Sequence, residues 1–226
     1  MHWSNLGLIF VAGSQLALGI LVFLRNCKNK INISFSLAII ALSFWTFITA
    51  LFRLSTTAEL ALIFYQFKLV AGLLIAILFQ IFAIFFPFQR GKINFVNQFL
   101  IIAPSVLAIF MIIFWPGSAI DRLILNPGQN LIFVNKIFWV LYSLGFTLAF
   151  AAAFFKLFMK YKEQSGFSRI QLKYVITGAL IPAVFAWFFN IIFLFFGNFI
   201  YDWIGAFLTF IFSLVLFYFV FYYQAR

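Results

Sequence analysis

Seven apolar runs, each about as long as a bilayer's hydrocarbon layer is thick, follow one another along the chain with only short polar breaks between them. The layer is about 30 Å deep, so a helix needs roughly 20 apolar residues to cross it. The runs span approximately Leu6–Leu24, Ile31–Phe52, Ala58–Phe86, Phe95–Trp115, Leu131–Met159, Tyr174–Phe196 and Trp203–Tyr223. Within a bilayer every backbone N–H and C=O must be satisfied inside the segment, and helices do this. The expected fold is therefore all-α: one membrane domain over residues 1–226, built as a bundle of seven transmembrane helices. Composition agrees, since a chain of 226 residues that is 66% hydrophobic and 8% charged carries more apolar surface than a soluble core of that size can bury.

Orientation follows from the basic residues. Arg25, Lys28, Lys30, Arg90, Lys92, Lys156, Lys160, Lys162, Arg169, Lys173 and Arg226 lie on one side of the predicted bundle, whereas Arg53, Lys68, Arg122 and Lys136 lie on or near the other. Cytoplasmic loops collect Lys and Arg, so the first side is inner, with the N-terminus outside and the C-terminus inside the cytoplasmic (inner) membrane. The first run has no positive charge before it and is read as a retained helix, not a cleaved signal. The same distribution accounts for the net charge of +11, which in a soluble chain would suggest nucleic acid. No nucleic-acid partner is expected.

The breaks have readable chemistry. Ser118–Asn130, containing Asn126-Pro127-Gly128, is expected to be the longest outer loop, and Lys160–Lys173 the longest inner one. Pro104 is expected to kink the fourth helix, and Pro182 lies inside the sixth. Gly145, Ala149 and Ala153 recur at four-residue spacing, a register that lets helix backbones approach closely in lipid.

Several chemistries find no support in the residues. Glu59, Asp121 and Asp202 fall at or beyond outer helix ends and Glu163 in an inner loop, so no carboxylate marks an ion path at mid-bilayer. The seventh run has no lysine for a retinal Schiff base. With one histidine, His2, and one cysteine, Cys27, there is no metal constellation, and no glycine-rich phosphate loop appears. No catalytic residue, metal or cofactor is expected, and the chain is not read as an enzyme.

Two groups of polar residues are candidate sites. Tyr65, Gln66, Lys68, Asn135, Lys136, Trp139 and Asn190 fall at comparable depth in the outer halves of helices and could line an outward-facing pocket for a small or anionic ligand. Alternatively, Lys68 and Lys136 snorkel to the headgroups and the aromatics form an interfacial belt. Arg169, Gln171 and Lys173 sit at the inner surface, where they could couple helix movement to a cytoplasmic partner or only bind anionic lipid.

The stretch Arg169-Ile170-Gln171-Leu172-Lys173-Tyr174 leading to Gly178 resembles a segment of the histidine kinase N-terminal seven-transmembrane domain family. Asn32 with Phe35-Ser36-Leu37 and Trp45, Phe86-Pro87 before a basic turn, and Pro104 match the family's pattern in order. The resemblance implies a membrane sensor whose last helix feeds a kinase or diguanylate cyclase. This chain ends at Gln224-Ala225-Arg226, and a sensory module without its own catalytic domain is expected, whether stand-alone, paired with a separate kinase or cut from a longer receptor. Its expected partners are the bilayer, a cytoplasmic kinase or cyclase, a small outer ligand and a second copy in a homodimer. The alternatives are a small carrier or channel for a neutral or anionic solute, favoured by broken helices at matching positions, and a membrane scaffold.

Overall fold

In the computed structural model, residues 3–88, 95–126, 130–196 and 202–222 are described. The helices are α1 (Trp3–Arg25), α2 (Lys30–Leu54), α3 (Ala58–Phe85), α4 (Phe95–Phe114), α5 (Lys136–Glu163), α6 (Gly166–Phe195) and α7 (Asp202–Tyr222). A two-stranded antiparallel hairpin, β1 (Ile120–Ile124) and β2 (Leu131–Val134), lies between α4 and α5. The basic turn at Gln89–Lys92 and the chain's end at Arg226 lie outside the described residues.

Short turns force sequential helices to run antiparallel, and side-chain caps define where they start. Asn29 accepts from the backbone N–H of Ile31 and Asn32 at the head of α2, Thr57 accepts from Leu60 at the head of α3, and Asn135 accepts from Ile137 and Phe138 at the head of α5. The helices α1, α2, α3, α5, α6 and α7 pack in that order, and α7 returns against α1 to close a ring. Helix α4 stands outside it, against α3 and α5.

Interhelical contacts use small and hydroxylated residues. Ser36 Oγ donates to the Gly19 carbonyl at 2.8 Å and Ser43 Oγ to that of Ala12 at 2.7 Å, tying α2 to α1. Gly145, Ala149 and Ala153 are buried, as their register predicts, and a Cβ on Gly145 would lie 2.8 Å from the backbone nitrogen of Ser105 in α4. Large apolar side chains cover the outside: Phe10, Leu24, Phe114 and Phe155 are each more than 60% exposed. Such a surface is stable only against lipid. Five helices, α1, α2, α3, α5 and α6, are long and apolar enough to cross a membrane, and two shorter apolar stretches are Phe99–Phe114 and Asp202–Val215.

Three local expectations are corrected. Leu131–Val134 is a strand, not the start of the fifth helix; its alternating Ile132 and Val134 are buried beneath the hairpin while Phe133 faces out. The polar stretch from Lys160 to Lys173 is almost wholly helical: α5 runs to Glu163 and α6 begins at Gly166, whose φ of +60° completes a turn of two residues. Lys, Gln and Arg are good helix formers, so polarity there ends the apolar run without ending the helix. Helix α6, expected as a regular helix with Pro182 inside it, contains a π-helical segment at Phe188–Ile192.

Candidate functional site

At one end of the ring, three charges meet in the interior. Arg53 Nη1 donates to Asp202 Oδ1 at 2.6 Å and Lys68 Nζ donates to Asp202 Oδ2 at 2.9 Å, with every side chain at most 5% exposed. Arg53 Nε donates to Asn5 Oδ1 at 2.9 Å, so the cluster joins α1, α2, α3 and α7. Burying ions is affordable only when they are paired and hydrogen-bonded. Two cations against one carboxylate leave this cluster with a formal charge of +1. Lys68 also stands over the rings of Trp45 and Phe52, at 6.0 and 5.9 Å from their centroids, a placement that suits a desolvated ammonium.

The hairpin covers this end. Asn130 Nδ2 donates to the carbonyls of Phe52 at 2.7 Å and Ser55 at 2.9 Å, the first of which also accepts from the Ser55 N–H, and so ties the hairpin to the end of α2. Ile132 and Val134 extend an apolar cluster that includes Phe52, Tyr65, Phe138 and Trp139.

One helical turn along α3 from Lys68, Gly72 begins the wall of an elongated cavity between α2, α3, α5, α6 and α7. Its volume is about 80 Å³. Phe79, Phe82, Phe150 and Phe212 are among the lining residues, with Trp45, Tyr142, Asn190 and Thr209, and the lining surface is almost wholly apolar. A Cβ at Gly72 would overlap the Tyr142 hydroxyl, so this glycine makes room for the tyrosine. Beside the cavity, Gln15 donates to Thr209 Oγ1 at 3.3 Å and accepts from Thr46 Oγ1 at 3.2 Å, a buried link between α1, α2 and α7.

The π segment of α6 forms part of that wall. Widening the helix frees carbonyls from the regular ladder, and the indole of Trp139 donates to one of them, Ile191 O, at 3.1 Å. Asn190 Nδ2 donates back to Ala186 O at 3.1 Å, while its Oδ1 is buried without a partner.

The predicted outer residues separate into distinct roles. Lys68 does not snorkel to the surface; it is held inside by Asp202. Tyr65 is fully buried beside it, and its hydroxyl has no hydrogen-bond partner. Trp139 and Asn190 meet at the π segment, Gln66 is half-buried, and Asn135 caps α5 and donates to Asp121 at 3.2 Å. Lys136 is exposed at the head of α5, away from the cavity. Arg53 and Asp202 belong to the site although they read as helix-end residues: their partners lie 149 positions apart. The lone basic residue closing the second apolar run and the lone acid opening the seventh were the available signal.

At the opposite end of the ring, Lys160 reaches from α5 to α3 and donates to the carbonyls of Ala83, Ile84 and Phe86 at 2.6–2.9 Å. It supplies donors that the final turn of α3 lacks. Gln171 is buried in the first turns of α6, whereas Arg169 lies over the Tyr161 ring at 4.9 Å and Lys173 is exposed. Among the described residues no group of three or more His, Cys, Asp or Glu could hold a metal.

Fold and surface together define a multi-pass helical membrane protein. No protein-family model, curated protein or solved structure matches the chain.

Proposed function

We propose that this protein is a seven-span signal-input module of a cytoplasmic membrane, with the charge cluster and hairpin outside and the Lys160 contact inside. The observation that carries the reading is the cavity within the ring: it touches five helices at once, so its occupancy is felt by all of them. A ligand shifts a conformational equilibrium only through unequal affinity for its states. Closing the helices around an occupant is one such inequality. The response travels along α5 and α6 to their inner ends, where Arg169 and Lys173, with Gln171 buried behind them, meet a cytoplasmic kinase or cyclase. The resemblance of the Arg169–Tyr174 stretch to the seven-transmembrane sensor domains of histidine kinases supports the same assignment.

A carrier is less well supported. Matching broken helices in two halves would favour it, but Pro104 sits in a continuous α4 that does not line the cavity, leaving α6 without a counterpart.

Two measurements test this reading. Cys27 lies exposed in the turn between α1 and α2; a membrane-impermeant maleimide is expected to label it only after permeabilisation, and labelling in intact cells would reverse the orientation. Filling the cavity by Ala183→Phe is expected to change amide hydrogen exchange at Arg169–Lys173. Unchanged exchange there would remove the link from cavity to inner surface.

A further inference from the structure

At the Lys160 end of the ring, the turn from α1 to α2 and the chain just beyond α3 border a second pocket, of about 420 Å³. Arg25, Asn26, Asn29 and Asn32 line it from the turn and the head of α2, and Pro87 and Phe88 from beyond the end of α3. Phe86, whose carbonyl Lys160 holds, immediately precedes Pro87.

The hydrogen bonds already made around this pocket define what it lacks. Asn26 Oδ1 accepts from the Lys28 N–H at 3.1 Å, and Asn29 Oδ1 accepts from the N–H groups of Ile31 and Asn32 at 2.8 and 3.4 Å. Both oxygens are therefore turned to the backbone, and each Nδ2 remains a donor without an acceptor among the described residues. Asn32 is 2% exposed, and its carboxamide makes no hydrogen bond among the described residues. Its Oδ1 is shut away, so Nδ2 is the polar atom its side chain can present to the pocket. Arg25 adds a guanidinium, whose planar fork of N–H groups matches phosphate oxygens. No carboxylate is among the described lining residues, and the positive end of the α2 dipole lies at the same place. Donors on every polar side chain and a fixed positive charge call for a compact anion rich in oxygen acceptors.

The surroundings choose the source of that anion. Phe23 and Leu24, just before Arg25, are 41% and 70% exposed, and Phe88 is 47% exposed, so apolar surface continues from the pocket along the membrane-facing side. A phosphate that carries acyl chains uses this surface; one free in water does not. Lys28 and Lys30 are exposed on the same turn, Lys30 standing over the Phe85 ring at 5.4 Å. With Arg25 they repel a headgroup ammonium and favour a lipid of net negative charge. We propose that this pocket binds the phosphate of an anionic phospholipid, Arg25 matching its charge and the Nδ2 groups of Asn26, Asn29 and Asn32 donating to its oxygens. The site is separate from the signal-input cavity, and the orientation proposed above decides only that the lipid belongs to the inner leaflet.

Native mass spectrometry of the full chain released from detergent micelles tests this, with dioleoylphosphatidylglycerol and dioleoylphosphatidylcholine as probes. One phosphatidylglycerol is expected to bind each chain about tenfold more tightly than phosphatidylcholine. Arg25→Gln is expected to weaken it about tenfold and Asn32→Leu about threefold, and the exposed arginine keeps the test decisive if the buried asparagine's variant fails to fold. Lys162→Gln removes the same charge from an exposed position at the same end of the ring, outside the pocket, and is expected to leave the affinity unchanged. Equal binding of the two lipids, or losses as large with Lys162→Gln as with Arg25→Gln, would mean diffuse charge attraction and overturn the proposal. Inorganic phosphate is expected not to displace the lipid at equal concentration; displacement would assign the pocket to a soluble phosphate and overturn the lipid source.

Discussion

At the scale of single residues, charge arithmetic decides how the Arg53–Asp202–Lys68 cluster responds to substitution. Asp202→Ala leaves two cations buried with no counter-charge, a change expected to cost about 3–5 kcal/mol. Lys68→Met leaves a one-to-one pair between Arg53 and Asp202, and about 1 kcal/mol or less is expected, because the methionine keeps the stem's packing and removes an ion's desolvation. Adding Lys68→Met to Asp202→Ala should recover part of the loss, since one unpaired cation is then absent. Thermal unfolding in nanodiscs checks all three. Strict additivity, or a lysine variant as damaging as the aspartate one, would mean that the cluster does not act as a unit. Lys68 also illustrates what residue-level reading misses. Its depth in α3 is visible in the sequence, but whether a lysine there snorkels or pairs depends on a carboxylate 134 positions away.

At the scale of elements, the apolar runs locate the helices because the bilayer imposes both length and composition on anything that crosses it. Boundaries are harder to read where apolarity and helicity part company. Leu131–Val134 continues the hydrophobicity of α5 yet pairs with Ile120–Ile124, since Asn135 caps the helix only after it. Beyond Met159 the reverse holds, and a polar sequence stays helical. The π segment of α6 has no pattern of its own; it becomes visible only through the partners it acquires, Trp139 among them. Packing between elements gives a direct prediction from two glycines. At Gly145 a Cβ would press on the backbone of Ser105, which cannot rotate aside, so Gly145→Ala is expected to separate α4 from α5 and lower stability by about 1–3 kcal/mol. At Gly13 a Cβ meets open space, and Gly13→Ala is expected to be neutral or to stabilise by up to about 1 kcal/mol through helix propensity. The two variants compared under identical unfolding conditions check this; a similar loss at both would contradict the close approach of α4 and α5.

For the whole molecule, the two ends of the ring are fastened differently. Buried ion pairs join α2, α3 and α7 at one end, where a hydrogen bond from Arg53 to Asn5 adds α1, and at the other Lys160 holds α3 to α5 through three carbonyls. Between them lies a slender, mostly apolar cavity, which five helices share. Of this site the sequence displays Tyr65, Lys68, Trp139 and Asn190 at similar depth, but it does not display the cavity, because phenylalanines that line it and those that face lipid are chemically alike. The arrangement predicts that filling the cavity moves the inner ends of the helices relative to one another. Spin labels on Cys27 and on Ser165→Cys, a position whose side chain makes no capping hydrogen bond, report the separation of the α1–α2 and α5–α6 turns. With Ala183→Phe in the same background, the distance distribution measured by pulsed electron–electron resonance is expected to shift its main peak relative to the parent. An unchanged distribution in a variant that still folds would contradict a signal-input role for the cavity.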